Sequence, residues 1–78
     1  MKIYEYNGKH YCDKDISLED DLYAGDLYSL YFDASHGDHK SILCESTVYY
    51  NAYDPETTYE SPEDLVEDYF DDCVIGEV

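Results

Sequence analysis

The spacing of apolar and polar positions along this chain changes several times, and each change marks an element. The run Lys2-Ile3-Tyr4-Glu5-Tyr6 alternates, and Lys9-His10-Tyr11-Cys12 follows it across Asn7-Gly8. Asn-Gly between two tyrosine-rich runs predicts a β-hairpin, because both central residues of its tight turn need positive φ. Residues 13–25 behave differently. Ser17 and Asp20 stand at capping-box spacing, Leu18 and Leu22 share a helical face, and Gly25 suits a C-terminal cap. These features predict a short helix over about residues 18–24, exposing Glu19, Asp20 and Asp21.

Further along, the aromatic content of residues 27–32 favours a strand, although Leu27, Leu30 and Tyr31 also fit one helical face. Ser35-His36-Gly37-Asp38 reads as a turn. Residues 41–45 and 47–53 read as strands through Ile42, Leu43, Val48, Tyr49 and Tyr50, and Asp54-Pro55 ends the sheet region. The last element opens on Ser61 as N-cap, Pro62 at the first helical position and Glu63-Asp64 in the first turn. Paired residues then alternate in character: Leu65-Val66, Glu67-Asp68, Tyr69-Phe70, Asp71-Asp72, Cys73-Val74. At about 100° per residue all six acids fall on one half of a helix that Gly76 would end. The expected fold is α+β in a single domain over residues 1–78. It has a small antiparallel sheet, made of the N-terminal hairpin plus two or three further strands. A short helix and an acidic amphipathic C-terminal helix complete it.

Composition supports folding but sets a cost. With 78 residues there is room for one modest core, and 11 Tyr with 2 Phe supply the apolar bulk that disordered acidic chains lack. Twenty Asp and Glu against four basic residues, all Lys, leave a net charge of −16. A globule of this length is roughly 30 Å across, and a duplex of that length carries roughly 17 charges. The protein therefore approaches the charge of an equal length of DNA. Nucleic acid and anionic membrane are excluded as direct partners, and self-repulsion opposes compactness. Solubility or a salt-rich habitat would explain some acidity, but a surface built for a basic partner explains more of it.

Candidate chemistry is sparse. The odd set Cys12, Cys44 and Cys73 has no framework spacing, and Cys44 and Cys73 are expected in the core as reduced thiols. No run has signal-peptide or membrane-span character, so a cytoplasmic protein is expected. His36, His39 and Cys44 lack a fourth ligand and a zinc-site spacing, and Asp54, Glu56 and Glu60 lack the calcium-loop pattern. His10 and Cys12 have no orienting third group for nucleophilic catalysis. No enzyme, cofactor or metal is expected.

The acidic stripe is the stronger signal. Acid pairs four residues apart advance about 6 Å along a helix, or one charge per roughly 3 Å, close to the ~3.4 Å phosphate spacing of one DNA strand. Stable exposed helix faces usually mix Lys with Glu, and this one has no Lys. The candidate partner-binding residues are Glu63, Asp64, Glu67, Asp68, Asp71 and Asp72, with Glu19, Asp20, Asp21 and Glu60 as flanking acids. Tyr59 is a candidate anchor, since Tyr beside carboxylates suits an arginine that stacks and pairs at once.

Size, acidity, the absence of Arg and the segment Ser-Pro-Glu-Asp-Leu-Val-Glu-Asp-Tyr-Phe-Asp-Asp together resemble the small DNA-mimic inhibitors of phages and mobile elements. These include anti-CRISPR and antirestriction proteins. The resemblance is one of overall character. It implies a protein, in the cytoplasm of an infected or element-bearing bacterium, that occupies the DNA site of a basic nucleic-acid-binding complex, a CRISPR effector before a restriction enzyme. Charge repulsion between copies favours a monomer over a dimer. An acidic adaptor docking on a basic host protein is the alternative, and an acid-adapted fragment without a dedicated site is a third.

Overall fold

The computed structural model describes residues 1–13 and 23–77. Asn7-Gly8 folds β1 (Lys2–Tyr6) back onto β2 (Lys9–Cys12), with φ of 51° and 76° at the two turn residues. Both lie in the left-handed region that a type I′ turn requires. Two more strands extend this hairpin. β3 (Tyr23–Gly25) runs parallel beside β2, and β7 (Val74–Glu77) runs antiparallel along the free edge of β1, giving the order β3-β2-β1-β7. A second sheet is an antiparallel meander of β4 (Ile42–Glu45), β5 (Val48–Asn51) and β6 (Asp54–Tyr59).

Helices α1 (Leu27–His36) and α2 (Pro62–Tyr69) join the sheets. They pack on each other, α1 touching β2, β3 and β4 while α2 touches β5 and β6. One core results. Tyr4, Tyr6 and Tyr11 enter it from the first sheet, Leu27, Leu30, Tyr31 and Ala34 from α1, and Ile42 from the second sheet. Leu65, Val66 and Phe70 close it.

Several sequence expectations are overturned here. In place of one small antiparallel sheet there are two sheets, one of them mixed. The 27–36 segment is a helix, not a strand. Leu27, Leu30, Tyr31 and Ala34 are its buried face at i, i+3, i+4 and i+7, and Asp26 caps it by accepting from the Ser29 amide at 2.9 Å. His36 therefore ends a helix instead of forming a turn. Asp54-Pro55 begins β6 instead of ending the sheet region, because Pro is tolerated on an edge strand that needs no ladder amide there. Tyr23 and Ala24, expected at the end of the short helix, lie in β3, as does Gly25; the rest of that segment lies outside the described residues.

The acidic C-terminal helix is also cut short. It stops at Tyr69, a 3-10 turn spans Asp71–Cys73, and the chain continues into β7. Two forces end it. Acids at a helix C-terminus face the negative end of its dipole, and the β-branched pair Val74-Ile75 gains a ladder of hydrogen bonds by covering the edge of β1. Gly76 therefore sits in a strand opposite Ile3 and caps nothing.

Tyr6 locks α1 to the first sheet. Its hydroxyl accepts a 2.9 Å hydrogen bond from the Asp38 amide, just past the helix end. A side chain at Gly37 would meet that hydroxyl at 2.6 Å and the Asp33 carbonyl at 3.0 Å. The Tyr6 ring is held by His39 and Phe70, at centroid distances of 5.6 and 6.5 Å, and cannot swing away freely. Gly37→Ala is expected to destabilise the fold by about 1–3 kcal/mol in urea unfolding. In a Tyr6→Phe background the same change should cost less, because the oxygen it strikes is gone. Equal costs in the two backgrounds would show that the contact is not the cause.

Candidate acidic interface

α2 is built to turn its acids outward. The Ser61 hydroxyl accepts from the Asp64 amide at 3.2 Å, Pro62 opens the helix, and Pro62, Leu65 and Val66 are buried. The opposite side carries Asp64, Glu67 and Asp68, all exposed, with Glu63 partly buried. Asp71 and Asp72 follow on the 3-10 turn, also exposed, and Glu60 is exposed just before the cap. The regular ~6 Å advance of acid pairs therefore holds across two pairs on α2, and the third pair belongs to a different element. Glu19, Asp20 and Asp21 lie outside the described residues.

Little basic charge opposes this surface. Between described residues the one lysine–carboxylate pair is Lys2 with Asp71, at 3.8 Å and well exposed. Such a pair contributes little to stability.

Two of the acids have internal partners that sequence reasoning missed. The Tyr59 hydroxyl donates to Asp68 at 2.5 Å, tying the end of β6 to the outer side of α2. The Tyr11 hydroxyl, at the buried end of its ring, donates to Asp33 on α1 at 2.6 Å. Only chain folding brings these partners together, so spacing could not reveal them. Tyr59 and Asp68, both candidate partner contacts, thus also hold each other.

These surroundings shift the phenols upward. The hydrogen bond to Asp68, and then burial, push Tyr59 to about 12. Burial moves Tyr31 to about 12 as well. Tyr11 rises through burial and its bond to Asp33, and Tyr4 through burial followed by the charges of Glu67, Asp71 and Asp13. The Cys73 thiol is raised by burial and by Asp72, the opposite of an activated nucleophile. Cys44, expected in the core, is exposed; it faces Tyr49 across the β4–β5 ladder.

The histidines have structural neighbours. The His36 ring stacks 4.4 Å from Phe32, with Nδ1 2.8 Å from the Phe32 carbonyl, and His39 packs 4.9 Å from Phe70. Among the described residues no three His, Cys, Asp or Glu side chains gather to hold a metal, and no helix is long and apolar enough to cross a membrane.

Raised phenol values fix the sign of the alkaline response. A folded state that binds the phenol proton more tightly than the unfolded chain gains stability fully present below the ordinary value of 10 and lost as pH rises through the folded value. Stability in urea should therefore fall between about pH 10 and 12. Tyr59→Phe should make that fall shallower and remove one late phenol from a tyrosinate absorbance titration. A profile that stays level to pH 12 is the contrary result.

Comparison of the chain with protein-family models, with curated proteins and with solved structures found no match in any of the three.

Proposed function

We propose that this protein is a DNA-mimicking inhibitor that occupies the basic DNA-binding site of a bacterial defence complex, a CRISPR–Cas effector first among them, and blocks access of target DNA. It acts in the cytoplasm of an infected or element-bearing host, as a monomer, by competition and without catalysis.

The observation that carries this reading is the outward acidic face of α2 and the turn after it. Asp64, Glu67, Asp68, Asp71 and Asp72 are exposed there, and neither element has a basic residue. The shape of the body supports it. The molecule measures 38 × 21 × 20 Å, and a duplex 38 Å long carries roughly 22 charges against the −16 of this chain. A site that holds phosphates with Arg and Lys would meet a rod of comparable charge density. Long-range attraction would speed the encounter and suppress wrong partners.

The test is isosteric neutralisation. Asp64→Asn, Glu67→Gln, Asp71→Asn and Asp72→Asn together keep the side-chain shapes, and all four positions are exposed. Four exposed pairs at about 0.2–1 kcal/mol each would weaken target binding by about 1–4 kcal/mol, roughly fivefold to several hundredfold. The readout is displacement of duplex DNA from a salt-sensitive partner captured from host lysate. Salt should act with opposite signs on the two properties: it screens self-repulsion and stabilises the fold, and it weakens partner binding. A variant that still displaces DNA as well as the parent would sink the reading. A partner that DNA does not compete for would favour the acidic adaptor.

A further inference from the structure

We propose that a cleft between the β5–β6 turn and the end of α2 is a receptor for one arginine side chain of a basic partner. The cleft is lined by Asn51, Tyr53, Asp54, Thr57, Tyr59 and Tyr69 and encloses about 230 Å³. Small-molecule sites run to roughly 300–1,000 Å³, so this space suits a single side chain better than a free metabolite.

The walls are held in place. Asn51, the one buried polar residue in the described core, accepts from the Tyr53 amide at 2.9 Å through Oδ1, and the Ala52 amide donates to the Ser41 carbonyl at 2.7 Å. Those two bonds fix the turn that carries Tyr53. Tyr59 is anchored from outside by Asp68, and Tyr69 is braced edge-on against Phe70 at 5.2 Å and His39 at 5.9 Å. Three phenol rings from a turn, a strand and a helix therefore line one opening before any ligand arrives.

Tyr53 has no folding role that explains its place. It is 87% exposed, the most exposed large hydrophobic residue described, yet it sits on a turn pinned by two hydrogen bonds. An aromatic presented to solvent from a pinned turn, beside a carboxylate, is what a planar cation needs. A guanidinium can stack on a ring face and pair with Asp54 at the same time, whereas an ammonium is a compact, strongly hydrated charge that does the first poorly.

The occupant must come from another molecule. The chain has no arginine, and the cleft lining has no lysine. A second cleft, of about 270 Å³, differs in this respect: Lys2 lines it with Asp13, Glu67 and Glu77, so it already holds a basic residue of the protein's own. This inference rests on the reading that the partner is basic, and it names the contact that would anchor it.

The test is an NMR titration of the whole protein with N-acetylargininamide, with N-acetyllysinamide as comparison. Saturable shifts should centre on the rings of Tyr53, Tyr59 and Tyr69, and the arginine probe should bind roughly two- to fivefold more tightly than the lysine probe. Tyr53→Ala and Asp54→Asn, both at exposed positions, should each weaken the arginine probe by a similar factor while leaving the amide spectrum folded. Shifts spread evenly over the acids of α2, equal affinity for the two probes, or no loss in Tyr53→Ala would overturn the proposal. Neither result decides the other reading. A failed cleft leaves the effect of neutralising α2 on DNA displacement as it stands, and a failed mimic leaves the arginine titration as it stands.

Discussion

The structure depends on how a core that includes four tyrosines disposes of their hydroxyls. Tyr4, Tyr6, Tyr11 and Tyr31 are buried. A buried hydroxyl left without a partner costs roughly 1–3 kcal/mol, a large share of the stability of a domain this small. The chain meets that constraint with geometry. Two of the four find partners on or just past α1, the Tyr11 hydroxyl donating to Asp33 and the Tyr6 hydroxyl accepting from the Asp38 amide, and the partly buried Tyr59 donates to Asp68. No buried side-chain oxygen or nitrogen among the described residues lacks a partner. Each of these bonds also joins two elements, so the tyrosines pin α1 to the first sheet and the second sheet to α2.

This arrangement gives the acidity two uses. A carboxylate accepting from a phenol is a charge-assisted bond, stronger than a neutral one, and it needs no basic residue. Asp33 and Asp68 therefore contribute to stability in a protein where nearly every other acid opposes compactness by repulsion. The remaining acids of α2 and the following turn have no such role. They face solvent along a surface whose apolar underside is fully used by the core. Charge on that surface is free to serve a partner, and Asp68, which is exposed within it, also holds the Tyr59 phenol.

The local features were legible from spacing alone. Asn7-Gly8 announced its turn through the positive φ that both residues adopt, and Ser61-Pro62 announced the start of α2 through cap chemistry. The acidic candidates of α2 could be placed on one face because its buried residues follow the helical period. Elsewhere the signals competed. Leu27, Leu30 and Tyr31 fitted a helix while the aromatic content of the same run suggested a strand. Ala34 and the Asp26 cap tip that balance, and neither carries much weight until the segment is seen against its neighbours.

What the sequence by itself determined, then, is the net charge, the tight turn, the cap of α2 and the outward acids of its two turns. All of these follow from backbone sterics, or from side chains within a few residues of one another. The tertiary structure alone decided that Val74–Glu77 form a strand, because Val74-Ile75 gains its ladder only when the edge of β1 is there to receive it. It alone decided that Tyr11 would meet Asp33, that Tyr59 would meet Asp68, and that three tyrosines from separate elements would line one cleft. Those are encounters between residues far apart in the chain, and hydrogen-bond partners at that separation are set by packing and not by period.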